Sequence, residues 1–248
     1  DWVWGTHDTV PAIEAGLDIE MPNAEIYGSA LVAAVEAGDV RERQLDTALR
    51  RILRAQYCYS LDSNPAVLDE AAVGTPATLE LAQRASELGI VLLKNDGALP
   101  IERAAGVDIV VVGQLADVAN IGDQGSSAVT PVAEVVTAVD GLTAAAGGAT
   151  VTHVTGDLSV MADRDLVAGA DVVIVVVGLD TDSEGEGNIA AGDRSSMALP
   201  VTHAALLTEA AELSDNVVVV LEGGSVLDVG PFVDSVQAIV MAWYPGMQ

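Results

Sequence analysis

The segment that decides the fold is Asp171-Val-Val-Ile-Val-Val-Val-Gly178. All six residues between Asp171 and Gly178 are β-branched and apolar, so both faces of a pleated strand would be apolar. A continuous apolar run of this kind predicts a strand that is buried on both faces, as in a parallel sheet covered by helices.

Similar runs recur along the chain after residue 76, and helical stretches such as 132–146 and 201–213 separate them. Alternation of strands and helices predicts a doubly wound, mainly parallel α/β sandwich. The further predicted strands are Ile90–Leu93, Ile109–Val112, Thr150–Val154, Val217–Leu221 and Ala238–Trp243.

The part of the chain before this sandwich has a different pattern. Residues 1–57 are predicted to be the end of another α/β unit, with helices over 29–37 and 40–54 and an alternating strand over 16–22. Residues 58–76 contain Asn64-Pro65, Gly74 and Pro76, which is typical of a linker. The predicted domains are therefore 1–57 and 77–248, joined by the linker 58–76.

The charge of the chain limits its partners. It has 37 acidic and 10 basic residues, a net charge of −27, and this charge would repel nucleic acid and anionic membranes. No stretch reaches the roughly 18 to 20 apolar residues of a membrane span. The chain starts without a methionine and is expected to be a piece of a longer protein, so its compartment (secreted, periplasmic or cytoplasmic) is left open.

The acidic turn that follows Gly178 is the first candidate for chemistry. Residues 178–188 hold four carboxylates and three glycines, a composition that suits a cation, a proton transfer or a merely solvated turn. The spacing of Asp180, Asp182 and Glu184 imitates the start of a calcium loop, but the twelfth position is Ala191 and a strand precedes it. The carboxylates also argue against a bound nucleotide.

Three other features are weaker candidates. Asp1 lies beside Trp2, and an aromatic face next to a carboxylate is common where proteins bind sugars. His7 is the histidine expected closest to this pair. The segment Gly122-Asp-Gln-Gly-Ser-Ser127 follows the strand 109–112 and predicts a tight loop rich in hydrogen bonds.

Taken in order, these segments resemble glycoside hydrolase family 3, the β-glucosidase and β-xylosidase group. The similar segments are Asp1-Trp2, Ala15-Gly-Leu-Asp-Ile-Glu-Met-Pro22, Arg50-Arg-Ile-Leu-Arg54, Val91-Leu-Leu-Lys-Asn-Asp-Gly97, Gly122–Ser127, Gly185-Glu-Gly187 with Gly192-Asp-Arg194, and Ala242-Trp-Tyr-Pro-Gly246. They cover nearly the whole chain in the order of the family.

The resemblance implies a fold and a reaction. Residues 1–57 would be the C-terminal remnant of a (β/α)₈ barrel, and 77–248 would be the α/β sandwich domain that carries a catalytic loop. The protein would be a retaining β-glycosidase acting by double displacement on β-glucosides or related oligosaccharides. It would use no cofactor or metal and could form a homodimer, and the 248-residue fragment alone is expected to be inactive.

The resemblance also implies residue roles. Asp1 would be the nucleophile, and Glu186 the general acid/base delivered from the second domain, with Glu184 as the alternative acid. The expected substrate contacts come from Trp2, His7, Ser126 and Ser127. Two other functions stay open: a non-catalytic carbohydrate-binding or interaction module of the same fold, and an acidic cation-binding module.

Overall fold

The computed structural model describes residues 5–59, 63, 67, 69–122, 125, 128–184 and 194–246 of the chain. The chain divides into two compact units, Asp1–Glu70 and Ala71–Gln248. Each unit has its own cluster of buried apolar side chains.

The first unit is helical in its described part. It contains α1 (Thr9–Ala15), α2 (Gly28–Ala37) and α3 (Glu42–Cys58). Gly16 and Gly38 end α1 and α2 in left-handed conformations with φ of 92° and 82°, which glycine adopts without steric cost. The helices pack around Ile13, Tyr27, Val40 and Ala48.

The strand predicted over 16–22 is wrong, because the described part of this unit contains no strand. The carboxylate of Glu20 instead accepts hydrogen bonds from the backbone N–H groups of Glu25, Ile26 and Tyr27, at 2.8, 2.9 and 2.7 Å. The Tyr27 hydroxyl donates to the carbonyl oxygen of Leu17 at 2.6 Å. Side chains thus bind the Leu17 carbonyl oxygen and the backbone of residues 25–27, without a second strand. That residues 1–57 end a barrel stays a prediction.

The second unit alternates helices and strands as predicted. Its elements are α4 (Pro76–Gly89), β1 (Val91–Asn95), β2 (Asp108–Val112), α5 (Ala138–Ala145), β3 (Thr150–Val154), α6 (Met161–Gly169), β4 (Val172–Gly178), α7 (Thr181–Glu184), α8 (Val201–Leu213), β5 (Val217–Glu222) and β6 (Ala238–Met241), with a 3₁₀ turn at Gln114–Asp117.

The six strands form one sheet in the order β1-β6-β5-β4-β2-β3. Five of them, β2 to β6, run parallel, which confirms the mainly parallel sheet. The edge strand β1 pairs antiparallel with β6, which the alternation of elements did not predict.

The central strand β4 is buried along its whole length. Val173, Val175 and Val177 belong to one apolar cluster, which also contains Leu207 of α8. Ile174 and Val176 belong to the other cluster, against which α5 packs. The sheet therefore has an apolar layer on each face, as the six β-branched residues predicted.

Two elements differ from the sequence prediction in their limits. Helix α5 begins at Ala138 and not at 132, because Thr137 and Asp140 form a capping box that fixes its N-terminus. Strand β6 ends at Met241, and Trp243 has a positive φ of 61°. Among the helices of the described ranges, none is long and apolar enough to cross a membrane.

Candidate active site

The strand order places a crevice at the carboxyl ends of β2 and β4. The chain passes from β2 to β3 on one side and then to β4 on the other side of β2, so the segments that follow β2 and β4 diverge. Ligands bind at such switch points in open α/β sheets. An open cleft of about 440 Å³ lies here, lined by Gln114, Leu115, Val118–Gly122, Asp180–Asp182 and His203.

Asn120 ties the segment after β2 to the ends of two neighbouring strands. Its Nδ2 donates to the carbonyl oxygen of Leu179 at 2.9 Å and to Oε2 of Glu222 at 2.8 Å. Both hydrogen bonds cross the switch point, so Asn120 holds this wall of the cleft in place. Sequence reasoning missed Asn120, because a lone Asn in a loop carries no signal of its partners.

Glu222, at the end of β5, is an acid that the structure keeps away from water. Glu222 is 4% exposed, and it is the one buried charged residue in the part of the chain that the structure describes. Burial raises the pKa of its carboxyl group to about 7, and the hydrogen bond from Asn120 only partly opposes this effect. Glu222 can therefore hold a proton near neutrality.

Asp180 organises the acidic turn. Its Oδ1 accepts from the backbone N–H groups of Asp182 and Ser183 at 3.1 and 2.9 Å, at the start of α7. Burial favours a higher pKa, but hydrogen bonds from Ser183 and Asp182 and the proximity of His203 outweigh it and lower the pKa of Asp180. Asp180 is thus an ionised cap for the turn and not a proton donor.

Glu184, at the end of α7, is held more firmly. Its Oε2 accepts from the backbone N–H of Gly224 and from the hydroxyl of Tyr244, both at 2.7 Å. Burial again favours a higher pKa, but hydrogen bonds from Ser225, Tyr244 and Gly224 and the charge of Arg194 lower the pKa of Glu184. An ionised carboxylate with these donors is poorly suited to donate a proton.

The predicted catalytic and substrate-binding residues lie mostly outside the described residues. This holds for Asp1, Trp2, Ser126, Ser127 and Glu186. His7 is described and is exposed at the start of the first unit. Their roles stay predictions. In the second unit, the structure instead pairs Asn120 with Glu222 and Glu184 with Arg194, and Asp180 binds the backbone of its own turn. Of these residues, the acids of the turn were predicted as a candidate site.

Two carboxylates of the turn, those of Asp180 and Glu184, are engaged by the protein itself. Within the described ranges, no group of three or more His, Cys, Asp or Glu side chains is arranged to hold a metal ion. Asp180 and Glu184 already accept hydrogen bonds from backbone and hydroxyl groups, so a cation would have to displace these donors.

Comparison with known proteins points to one family. Residues 90–248 match the model of the glycosyl hydrolase family 3 C-terminal domain. The chain is 30% identical over 98% of its length to a thermostable β-glucosidase B from Acetivibrio thermocellus and covers 32% of that protein. It is also 30% identical over 98% of its length to an exo-α-(1→6)-L-arabinopyranosidase from Bifidobacterium longum, covering 33% of it.

A solved structure agrees with these relatives. All of the chain superposes on 38% of a β-D-glucoside glucohydrolase from Trichoderma reesei, with a TM-score of 0.76 and 28% identity. The chain thus spans about a third of the length of the curated relatives it matches.

Proposed function

The chain belongs to glycoside hydrolase family 3, and from this membership we propose that it forms part of a retaining β-glycosidase. The enzyme hydrolyses β-glucosides or related oligosaccharides by double displacement. Because the chain covers only 32% of its β-glucosidase relative, we expect the 248 residues alone to be inactive or nearly so.

Double displacement sets the requirement for the site. A retaining glycosidase needs two carboxyl groups about 5 Å apart, of which one attacks the sugar and the other donates a proton to the leaving group. We assign the nucleophile to Asp1 and the general acid/base to Glu186. Trp2, His7, Ser126 and Ser127 are assigned to the sugar-binding surface.

The observation that carries the choice of acid is the environment of Glu184. The general acid must hold a proton before the glycosidic bond breaks. The pKa of Glu184 is lowered by three hydrogen-bond donors and by Arg194, and that of Asp180 is lowered as well. Of the acids at this turn, these two are therefore unsuited to the role, which supports Glu186.

The identity of the sugar is proposed from the relatives. One is named for β-glucosides and the other for an L-arabinopyranoside. We therefore expect an aryl β-glucoside to be a substrate and an aryl α-L-arabinopyranoside to be the first alternative to assay.

The assignment of Glu186 is tested by Glu186→Ala in the full-length protein that carries this chain. Turnover of an alkyl β-glucoside, a poor leaving group, is expected to fall by about 10²- to 10⁴-fold because acid catalysis is lost. Azide is expected to restore turnover of an activated aryl glucoside and to give the β-glycosyl azide, because a small anion can replace the base.

The control is Glu212→Ala, at an exposed position of α8. It should leave the rates unchanged. Equal rates in the wild-type protein and in Glu186→Ala would refute the assignment, and absence of turnover in the wild-type protein would favour a non-catalytic carbohydrate-binding module.

A further inference from the structure

Glu184 and Arg194 lie on either side of residues 185–193, the part of the chain that contains Glu186. Their side chains approach each other, with 4.0 Å between Oε1 of Glu184 and Nη1 of Arg194. Both are largely buried, with side-chain exposures of 13% and 17%. Glu184 and Arg194 are therefore neighbours in space although nine residues separate them in the sequence.

Both side chains are fixed to the segment that follows β5. Glu184 accepts from the backbone N–H of Gly224 at 2.7 Å. Arg194 donates from Nη1 to the hydroxyl of Ser225 and from Nη2 to the carbonyl oxygen of Val226, each at 3.1 Å. This segment follows directly on β5, an interior strand between β4 and β6.

Tyr244, just beyond β6, adds a further donor. Its hydroxyl donates to Oε2 of Glu184 at 2.7 Å, the same oxygen that accepts from Gly224. Hydrogen bonds to an ionised acceptor are short and about twice as strong as neutral ones. We call Glu184, Arg194, Ser225 and Tyr244 the stem.

We infer that the stem positions the general acid/base: Glu184, which Tyr244 binds, and Arg194 are the anchored residues that flank 185–193, and their anchoring limits where Glu186 can reach for proton transfer. This inference rests on the proposed function. Two residues span at most about 7 Å, so the position of Glu184 limits the position of Glu186. We assign the stem residues as positioning residues, which act through Glu186.

If the stem served only to stabilise the fold, its loss would change the rates on different substrates in another way. A shift of about 1 Å in a reacting group can cost about 100-fold in rate. Loss of positioning should therefore affect the step that needs the acid and spare substrates whose leaving group needs no proton. Loss of stability alone would lower the active fraction, and hence the rates on all substrates, by the same factor.

The test uses Glu184→Gln and Tyr244→Phe in the full-length protein that carries this chain. For an alkyl β-glucoside, kcat/KM is expected to fall about 10- to 100-fold in Glu184→Gln, and by less in Tyr244→Phe, which removes one hydrogen bond. For 2,4-dinitrophenyl β-glucoside, kcat/KM should stay within about twofold of wild type because this leaving group needs little protonation. Tyr244→Phe keeps the test valid if Glu184→Gln fails to fold.

The control is Glu212→Gln, the same chemical change at an exposed position of α8. It should leave both values of kcat/KM unchanged. Equal losses on the two glucosides in Glu184→Gln, or no loss on either, would overturn the inference.

Hydrogen exchange separates this inference from the proposed function. Amides of residues 185–193 should exchange faster in Glu184→Gln than in wild type or in Glu212→Gln. If the wild-type protein hydrolyses neither glucoside, the proposed function fails, and faster exchange would still show that the stem anchors this segment. Unchanged exchange would overturn the anchoring itself.

Discussion

The pKa values of two glutamates at the carboxyl edge of the sheet are shifted in opposite directions. Glu222 is buried with one donor, Asn120, and its pKa is raised to about 7. Glu184 is also partly buried, but three donors and Arg194 more than offset its burial and lower its pKa. Glu222 is the more deeply buried of the two and has a single donor, so burial dominates there, whereas at Glu184 the donors and Arg194 outweigh a weaker burial.

Glu222 should make stability depend on pH. Its pKa rises from 4.5 in the unfolded chain to about 7 in the folded protein, so its stabilising effect is complete below pH 4.5 and is lost as the pH rises through 7. The loss should be on the order of 3 kcal/mol. Glu222→Gln, which can still accept from Asn120, should not lose this amount.

Urea unfolding of the wild-type protein and of Glu222→Gln between pH 5 and pH 8 measures this effect. The difference in free energy of unfolding between the two proteins should shift in favour of Glu222→Gln as the pH rises. A difference that does not change with pH would show that Glu222 is ionised in the folded protein.

At this scale, the sequence indicates which residues can do chemistry but not which are used structurally. The four acids and three glycines of residues 178–188 predict a candidate site from composition alone. This composition does not show that Glu184 binds Gly224 and Tyr244, because these contacts depend on how the ends of β4, β5 and β6 meet in the sheet.

At the scale of elements, the ends of β4 and β5 lie in close backbone contact. Gly178 has a φ of 153°, and a Cβ atom there would overlap the carbonyl oxygen of Glu222 in β5. Only glycine allows the two strand ends to lie this close. The acidic turn begins directly after this contact, so the geometry of the turn depends on it.

Gly178→Ala should therefore lower the free energy of unfolding by about 2 to 4 kcal/mol, through overlap and backbone strain together. The matched control is Gly169→Ala at the end of α6, where an added Cβ meets no atom within 4 Å. It should be neutral or stabilising by up to about 1 kcal/mol. Equal midpoints of urea unfolding for both variants would contradict the close contact of β4 and β5.

The strands were predictable where burial alone determines them. The runs 109–112, 172–177 and 217–221 are apolar on both faces, and all three form interior strands. The segment 16–22 also alternates like a strand, but Glu20 binds the backbone nearby and no strand forms. The antiparallel direction of β1 could not be predicted because its apolar pattern is the same in either direction.

At the scale of the whole molecule, the net charge of −27 dominates. Carboxylates repel one another in the folded protein, and salt screens this repulsion, with a Debye length that falls from about 30 Å at 0.01 M to about 8 Å at 0.15 M. The protein should therefore be more stable in salt than in dilute buffer.

A melting curve in KCl tests this effect. Tm should rise clearly between about 10 and 200 mM KCl, the range over which screening changes most. Sucrose at equal osmolality should not reproduce the rise because it screens no charge. Equal Tm values at low and high salt would show that self-repulsion does not limit the stability of the folded state.

The central claim is that this chain supplies a nucleophile and an acid to a retaining glycosidase. The most direct measurement is covalent labelling of the full-length protein with a 2-deoxy-2-fluoro-β-glucoside bearing an activated leaving group, followed by peptide mass spectrometry. A retaining enzyme forms a glycosyl-enzyme ester, and the fluorine slows its hydrolysis enough for it to accumulate. We predict a single label, on Asp1. If the enzyme is active but is labelled at another residue, or is not labelled, the claim is contradicted.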